Sequence, residues 1–322
     1  MAGFLLRRLG ASLLLLLLVL TIAFFVLRLI PGDPTQGVEG QRLTVEQQQR
    51  LKKIWRLDRP LAEQYADWLS SIALRGDWGT SLSQQRPVSS AMLGALRATA
   101  ILASAAVAVE FGAALLLGVA AARRRRSSVD HAIRIGTLLL HSQPVFWLGL
   151  MAILLFSYVW PVLPASHMHS VDAELMGPAG RFFDLLRHLA LPCLVLGLAN
   201  AGATTRFVRA SLIEAMSQDY IRAARAKGLS ERRVVWVHGI RNAAVPWVQL
   251  FALTLPGLLS GALITEVVFS WPGLGQLTFN AILARDYPLI LGAMALSATM
   301  VVLGNLLADV IHALIDPRIR DA

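Results

Sequence analysis

Asp219-Tyr-Ile-Arg-Ala-Ala-Arg-Ala-Lys-Gly-Leu-Ser-Glu-Arg-Arg233 is a basic, alanine-rich stretch interrupted at Gly228, and it lies between two apolar segments of membrane-spanning length. Tyr220, Ala223, Ala224 and Lys227 recur at i, i+3, i+4 and i+7, the spacing of one helix face. A glycine just after the last turn is a common helix terminator, so the helix is expected to end at Gly228. The arginines and lysine keep such a helix in water, while Ala223, Ala224 and Ala226 let another surface come close. The stretch therefore reads as a cytoplasmic plug for a partner.

The rest of the chain supports a membrane setting. Of its 322 residues 56% are hydrophobic and only 16% charged, against about 45–50% and 25% in soluble domains. The mean hydropathy is +0.58. Six apolar segments can be drawn: Leu9–Ile30, Thr99–Ala122, Ile135–Trp160, Leu185–Thr205, Ala243–Ser270 and Pro288–Ile315. Each is long enough for a hydrocarbon layer of about 30 Å. The fourth is the weakest, with Arg187, His188 and Pro192 at its start and Gly197, Asn200 and Gly202 near its end. Such small residues suit close helix packing in lipid. Arg7 and Arg8 before a leucine run resemble a secretory leader, but no small-residue cleavage site follows, which predicts a retained first span.

Charge sets the expected direction. Arg123 to Arg126 and Arg134 against Asp130 give the loop after the second segment a net +4. The polar stretch 206–241 carries a net +5, and the 161–187 loop a net −1. Positive loops stay inside, so both termini and both basic loops are expected in the cytoplasm. The overall charge of +10 flanks apolar spans, which fits topology and lipid headgroups rather than nucleic acid.

Four parts follow: a first span (1–30), an extracytoplasmic helical insertion (31–95), a core (96–315) containing the loop 206–245, and a short tail (316–322). The insertion nearly balances eight basic with seven acidic residues. Its spacing predicts two amphipathic helices, Thr44–Leu57 and Leu61–Leu74, with a turn at Gly76-Asp-Trp-Gly79.

Acids inside apolar spans are expensive and therefore functional candidates. Glu110, Glu266 and Asp309 are such residues; Glu110 and Glu266, with Asn200, are the candidates for a translocation path. For Asp309, with Asn305 four residues earlier, a helix–helix hydrogen bond is the plainer expectation. His167-Met-His169 offers two imidazoles and a thioether, ligands that suit nickel or copper. With no further ligand nearby it reads as a solvated loop, and no metal site is expected. Cys193 is the only cysteine, so no disulfide can form within the chain. No phosphate-binding glycine loop or hydrolase motif appears, so the chain is not expected to bind ATP or catalyse a reaction.

In order along the chain stand Arg28-Leu-Ile-Pro-Gly-Asp-Pro34, Leu57-Asp-Arg-Pro-Leu61, Gly76-Asp-Trp-Gly79, Arg86-Pro-Val88, Phe146-Trp-Leu-Gly149, Arg222–Arg233, Trp271-Pro-Gly-Leu-Gly275, Ala284-Arg-Asp-Tyr-Pro288 and Asp316-Pro-Arg-Ile-Arg320. This succession resembles the permease subunits of the oligopeptide, dipeptide and nickel ABC importers. The resemblance implies an all-α type I permease with six transmembrane helices in a bacterial inner membrane. It also implies a second permease subunit, two cytoplasmic ATPases that hold ATP and Mg, and an extracytoplasmic solute-binding protein. The 206–245 segment would be the coupling loop, docking into an ATPase cleft through Tyr220, Arg222, Ala223, Ala224, Lys227 and Gly228. Arg222 departs from the general ABC consensus, which has Glu there. Glu266 matches an acid common in the family, whereas Glu110 departs from a family acid nearer position 101, here Ile101. Short peptides are the expected substrate, with nickel, a metal chelate or glutathione as alternatives. More distant alternatives are a membrane-embedded enzyme and a proton-coupled transporter.

Overall fold

The computed structural model describes residues 2–29, 44, 46, 49, 58–259 and 262–315. Most of the expected helix Thr44–Leu57 and of the Arg28–Pro34 motif, and all of the Asp316–Arg320 motif, lie outside those residues. Among the described residues the architecture is helical, with one isolated bridge between Thr80 and Pro87 as its only extended pairing. Four helices are long and apolar enough to cross a membrane, or five if one bent pair counts as a span.

The first helix, α1 (Ala2–Leu29), is an almost unbroken leucine-rich run. α2 (Leu61–Arg75) is amphipathic, as its spacing predicts, and lays Tyr65 and Trp68 against Phe24 of α1 at ring-centroid distances of 5.4 Å each. The Tyr65 hydroxyl also meets Thr21 Oγ1 at 2.7 Å, which fixes this helix to α1.

Two very long helices form the centre, α3 (Val88–Arg123) and α6 (Pro178–Met216). Both extend well beyond the apolar windows expected for them, so α3 begins inside the segment assigned to the insertion. Small residues set their approach. A methyl group at Gly197 would stand 2.7 Å from the Ala106 carbonyl oxygen, too close for any side chain. The small residues of the weak fourth segment thus bring helices together, and Pro192 sits within α6 without ending it.

The third segment is not one straight span. α4 (Ser128–Ser142) and α5 (Val145–Ile153), with a π-helical turn over Leu154–Val159, bend by 99°. Gln143 between them is extended (φ −86°, ψ 143°) because the ring of Pro144 disfavours a helical conformation in the preceding residue. The fifth segment is likewise divided. α7 (Asp219–Ala226) leads through a short turn and a π-helical turn, Val234–Gly239, into α8 (Ile240–Leu259). α9 (Leu263–Val268) and α10 (Leu274–Leu283) follow as separate short helices. α11 (Tyr287–Ile315) matches the expected sixth segment.

One buried cluster joins Phe24 and Leu27 of α1 with Val88 and Met92 of α3, Leu274 and Leu277 of α10, and Leu289 and Ile290 of α11. Another, toward α7, joins Val119, Leu212, Val235 and Ala243. Asp309 makes its helix–helix contact with Arg8 of α1, Nη1 to Oδ2 at 3.1 Å.

Candidate functional site

α7 stands outside the apolar helices, joined to the end of α6 and the start of α8. Ile221 and Ala224 are buried against Val234, with Met216 and Leu229 packed around them. These contacts hold the short helix by one face. Tyr220, Ala223 and Lys227 remain exposed, so the expected face divides: Ala224 turns inward and the other three point out. Burial of Ile221 explains the shift, because the helix rolls until its one large aliphatic side chain is covered.

The helix ends where the sequence indicates. Lys227 and Gly228 donate amide hydrogens to the Ala223 and Arg225 carbonyls at 3.1 and 2.9 Å, and Gly228 takes φ +76°. A Cβ there would meet nothing within 4 Å, so the glycine is required by backbone conformation and not by space. Arg222 pairs with Asp219 within the helix. Arg225 binds Glu231 at 2.7 Å, which pins α7 to the next turn. The Arg225 guanidinium holds the Glu231 carboxyl below its ordinary range.

A neighbouring lock escaped the sequence reading. Arg209 at the end of α6 donates from Nε and Nη2 to the two oxygens of Asp130, each at 2.7 Å, and the Arg126 amide adds a third bond at 2.9 Å. The hydrogen bond from Arg209 brings the Asp130 carboxyl down to about 2, despite desolvation. The arginine-rich loop is thereby tied to the helix that carries α7.

The acids within the apolar region have separate settings. Glu266 in α9 is fully buried. Its Oε1 accepts from Thr99 Oγ1 at 2.7 Å, and its Oε2 accepts from the amides of Gly275 and Gln276 at 2.7 and 3.1 Å. Thr99 also accepts from the Leu274 amide at 2.8 Å. The first three amides of α10, which no helix can satisfy internally, are thus all occupied by side chains. Trp271 reinforces the junction by donating Nε1–H to the Ala98 carbonyl at 2.8 Å. This accounts for Trp271-Pro-Gly-Leu-Gly275, a motif in which a methyl group at Gly275 would stand 2.4 Å from Leu263 Cα.

Glu110 and Asn200 come together. They border a cavity of about 530 Å³ with His141, Thr204, Leu253 and Thr254. Glu110 Oε1 accepts from the Thr204 hydroxyl at 2.6 Å. Glu266 is not among the residues that line this cavity.

Asp286, which the motif Ala284–Pro288 contains, is a second unanticipated cap. Its Oδ2 accepts from Ser81 Oγ, Ser83 N and Ser83 Oγ at 2.6, 2.9 and 2.8 Å, while Oδ1 takes the Leu289 amide at 3.2 Å. His167 and His169 do not converge: His167 meets Ser166 Oγ at 2.9 Å and His169 meets Asp184 Oδ2 at 2.9 Å. Among the described residues no three His, Cys, Asp or Glu side chains gather as a metal site.

Long apolar helices around a half-polar cavity, with a small basic helix held outside them, define a polytopic membrane transport component. The chain belongs to the binding-protein-dependent transport system inner membrane component family, whose model matches residues 114–321, with the model of its N-terminal part matching residues 1–103. It is 38% identical to the di/tripeptide transport system permease protein DppB of Pseudomonas aeruginosa over 99% of both chains. It is 36% identical to the dipeptide transport system permease protein DppB of Escherichia coli K12, again over 99% of both. The oligopeptide transport system permease protein AppB of Bacillus subtilis is 33% identical, over 99% of this chain and 100% of its own.

Proposed function

We propose that the chain is one permease subunit of an ATP-driven importer of short peptides, receiving them from a solute-binding protein on the outer side. The observation that carries this is α7, a basic helix anchored by Ile221 and Ala224 with Tyr220, Ala223 and Lys227 facing outward, in a chain whose relatives are permease proteins of di-, tri- and oligopeptide transport. In this reading the chain makes six crossings with both termini in the cytoplasm. A second permease subunit, two cytoplasmic ATPases and the outer receptor complete the assembly, and ATP and Mg reside on the ATPases. Closure of the ATPases pulls the 206–245 loop, and the pull passes through α6 and α8.

The coupling surface comprises Tyr220, Arg222, Ala223, Lys227 and the Gly228 terminus, with Ala224 as part of its anchor. Glu110 and Asn200 line the path. Glu266 serves that path indirectly, by holding α10 to α3 and α9. The chain performs no covalent chemistry.

The test is uptake by vesicles containing the complete complex and its receptor, with a dipeptide and nickel offered side by side. ATP-dependent accumulation of the dipeptide is expected. Accumulation of nickel instead, or uptake that persists without ATP in energised vesicles, would sink the reading.

A further inference from the structure

We propose that the cavity among α3, α4, α6 and α8 is a binding site for the free amino end of a peptide, with Glu110 as partner of its ammonium group. The inference deepens the peptide-import reading and rests on it.

The polar groups around the cavity include several unengaged acceptors. Glu110 is 2% exposed, and only its Oε1 is engaged, by Thr204. Its Oε2 has no hydrogen bond among the described residues. The Asn200 amide likewise makes none there. His141 Nδ1 lies 3.0 Å from the Ala199 carbonyl, which can only accept, so Nδ1 carries a proton. Thr254 spends its hydroxyl hydrogen on the Leu250 and Phe251 carbonyls, leaving its oxygen lone pairs. Among the described residues no lysine or arginine borders the space.

A buried carboxyl group with an unoccupied oxygen, beside further acceptors and with no lysine or arginine among the described residues of the lining, suits a ligand that is positive and rich in donors. An ammonium group supplies three N–H donors and the opposite charge. The apolar wall of Leu250, Leu253 and Phe207 suits the side chains that follow it. At about 530 Å³ the cavity falls within the range of about 300–1,000 Å³ typical of small-ligand pockets.

The experiment uses the purified complex in detergent, with Cys193→Ser to remove the native thiol and Leu253→Cys as a reporter in the cavity wall. Labelling by a maleimide is timed with millimolar Ala-Ala or its N-acetyl derivative, without receptor or nucleotide. Ala-Ala should slow labelling by about tenfold, and the acetylated peptide, which lacks the charge, should not. Glu110→Gln keeps an oxygen for Thr204 but removes the charge, and should abolish the slowing; Glu110→Asp should keep part of it. Equal slowing by both peptides, slowing that survives Glu110→Gln, or no slowing by Ala-Ala would overturn the proposal. Because this readout needs neither receptor nor ATP, its failure leaves import itself standing. Slowing without any uptake by the complete vesicles would sink only the import reading.

Discussion

Thr99 donates to Glu266 Oε1 at 2.7 Å while accepting from the Leu274 amide at 2.8 Å, so one hydroxyl links α3, α9 and the start of α10. The glutamate holds the next two amides at 2.7 and 3.1 Å. A helix N-terminus buried without such partners is costly, and a carboxylate there also faces the positive end of the helix dipole. The acid thus finds inside the molecule the compensation that lipid denies it.

Glu266→Ala should leave the Gly275 and Gln276 amides unsatisfied and lower stability by about 3 kcal/mol. Thr99→Val should cost less, about 1–2 kcal/mol, because one amide and one carboxylate oxygen lose their partner. Thermal unfolding of the detergent-solubilised protein checks both. A Glu266→Ala protein as stable as wild type would show that the cap carries no weight.

Gly228→Val should abolish ATP-driven uptake while leaving insertion and expression intact. The left-handed conformation costs an ordinary residue about 1–2 kcal/mol, and more for a β-branched one. Since a Cβ at this position meets nothing within 4 Å, Gly228→Asn should retain most transport, asparagine being tolerant of that conformation. Equal loss in both variants would point to steric contact with a partner instead.

Arg8 and Asp309 tie α1 to α11 at 3.1 Å in a half-exposed pair. Asp309→Asn or Arg8→Gln should each lower stability by about 1 kcal/mol, the modest scale of a partly solvated ion pair. The swapped protein carrying Arg8→Asp and Asp309→Arg should recover much of that loss in a thermal melt. A swap no better than the single variants would argue against a direct pairing.

Local pattern carried much of the fold. The Ala/Arg/Lys run closed by Gly228 and the Tyr65/Trp68 face of α2 each express a period within a dozen residues, and both were legible. Hydropathy also marked the apolar segments, but it is blind to direction, so Pro144 marked a place for a kink while the size of the bend, 99°, did not show. The caps were hidden for another reason. Thr99 lies 167 positions from Glu266, and Ser81 lies 205 from Asp286, so nothing in either neighbourhood announces its partner. Glu110 could be singled out as costly in lipid and Asn200 as a candidate beside it, yet their shared cavity depends on how α3 and α6 pack.

Asp130 and Arg209, bonded twice at 2.7 Å outside the apolar spans, should show their contribution as a pH dependence. The folded carboxyl titrates near 2, below its ordinary value of 3.8. A depressed acid stabilises the fold above its unfolded pKa and loses that contribution as pH falls through the folded one. The benefit should therefore be complete above about pH 5 and fade as pH falls toward 2. Asp130→Asn should unfold at a lower temperature than wild type at neutral pH, and the gap should narrow on acidification across that window. Arg209→Gln should leave a buried carboxylate without its guanidinium and be the more damaging change at neutral pH. Its deficit should shrink in acid, where the carboxyl is protonated. A gap between wild type and Asp130→Asn that stays constant from neutral pH into that acidic window would mean that the pair adds nothing through ionisation and holds the arginine loop by shape alone.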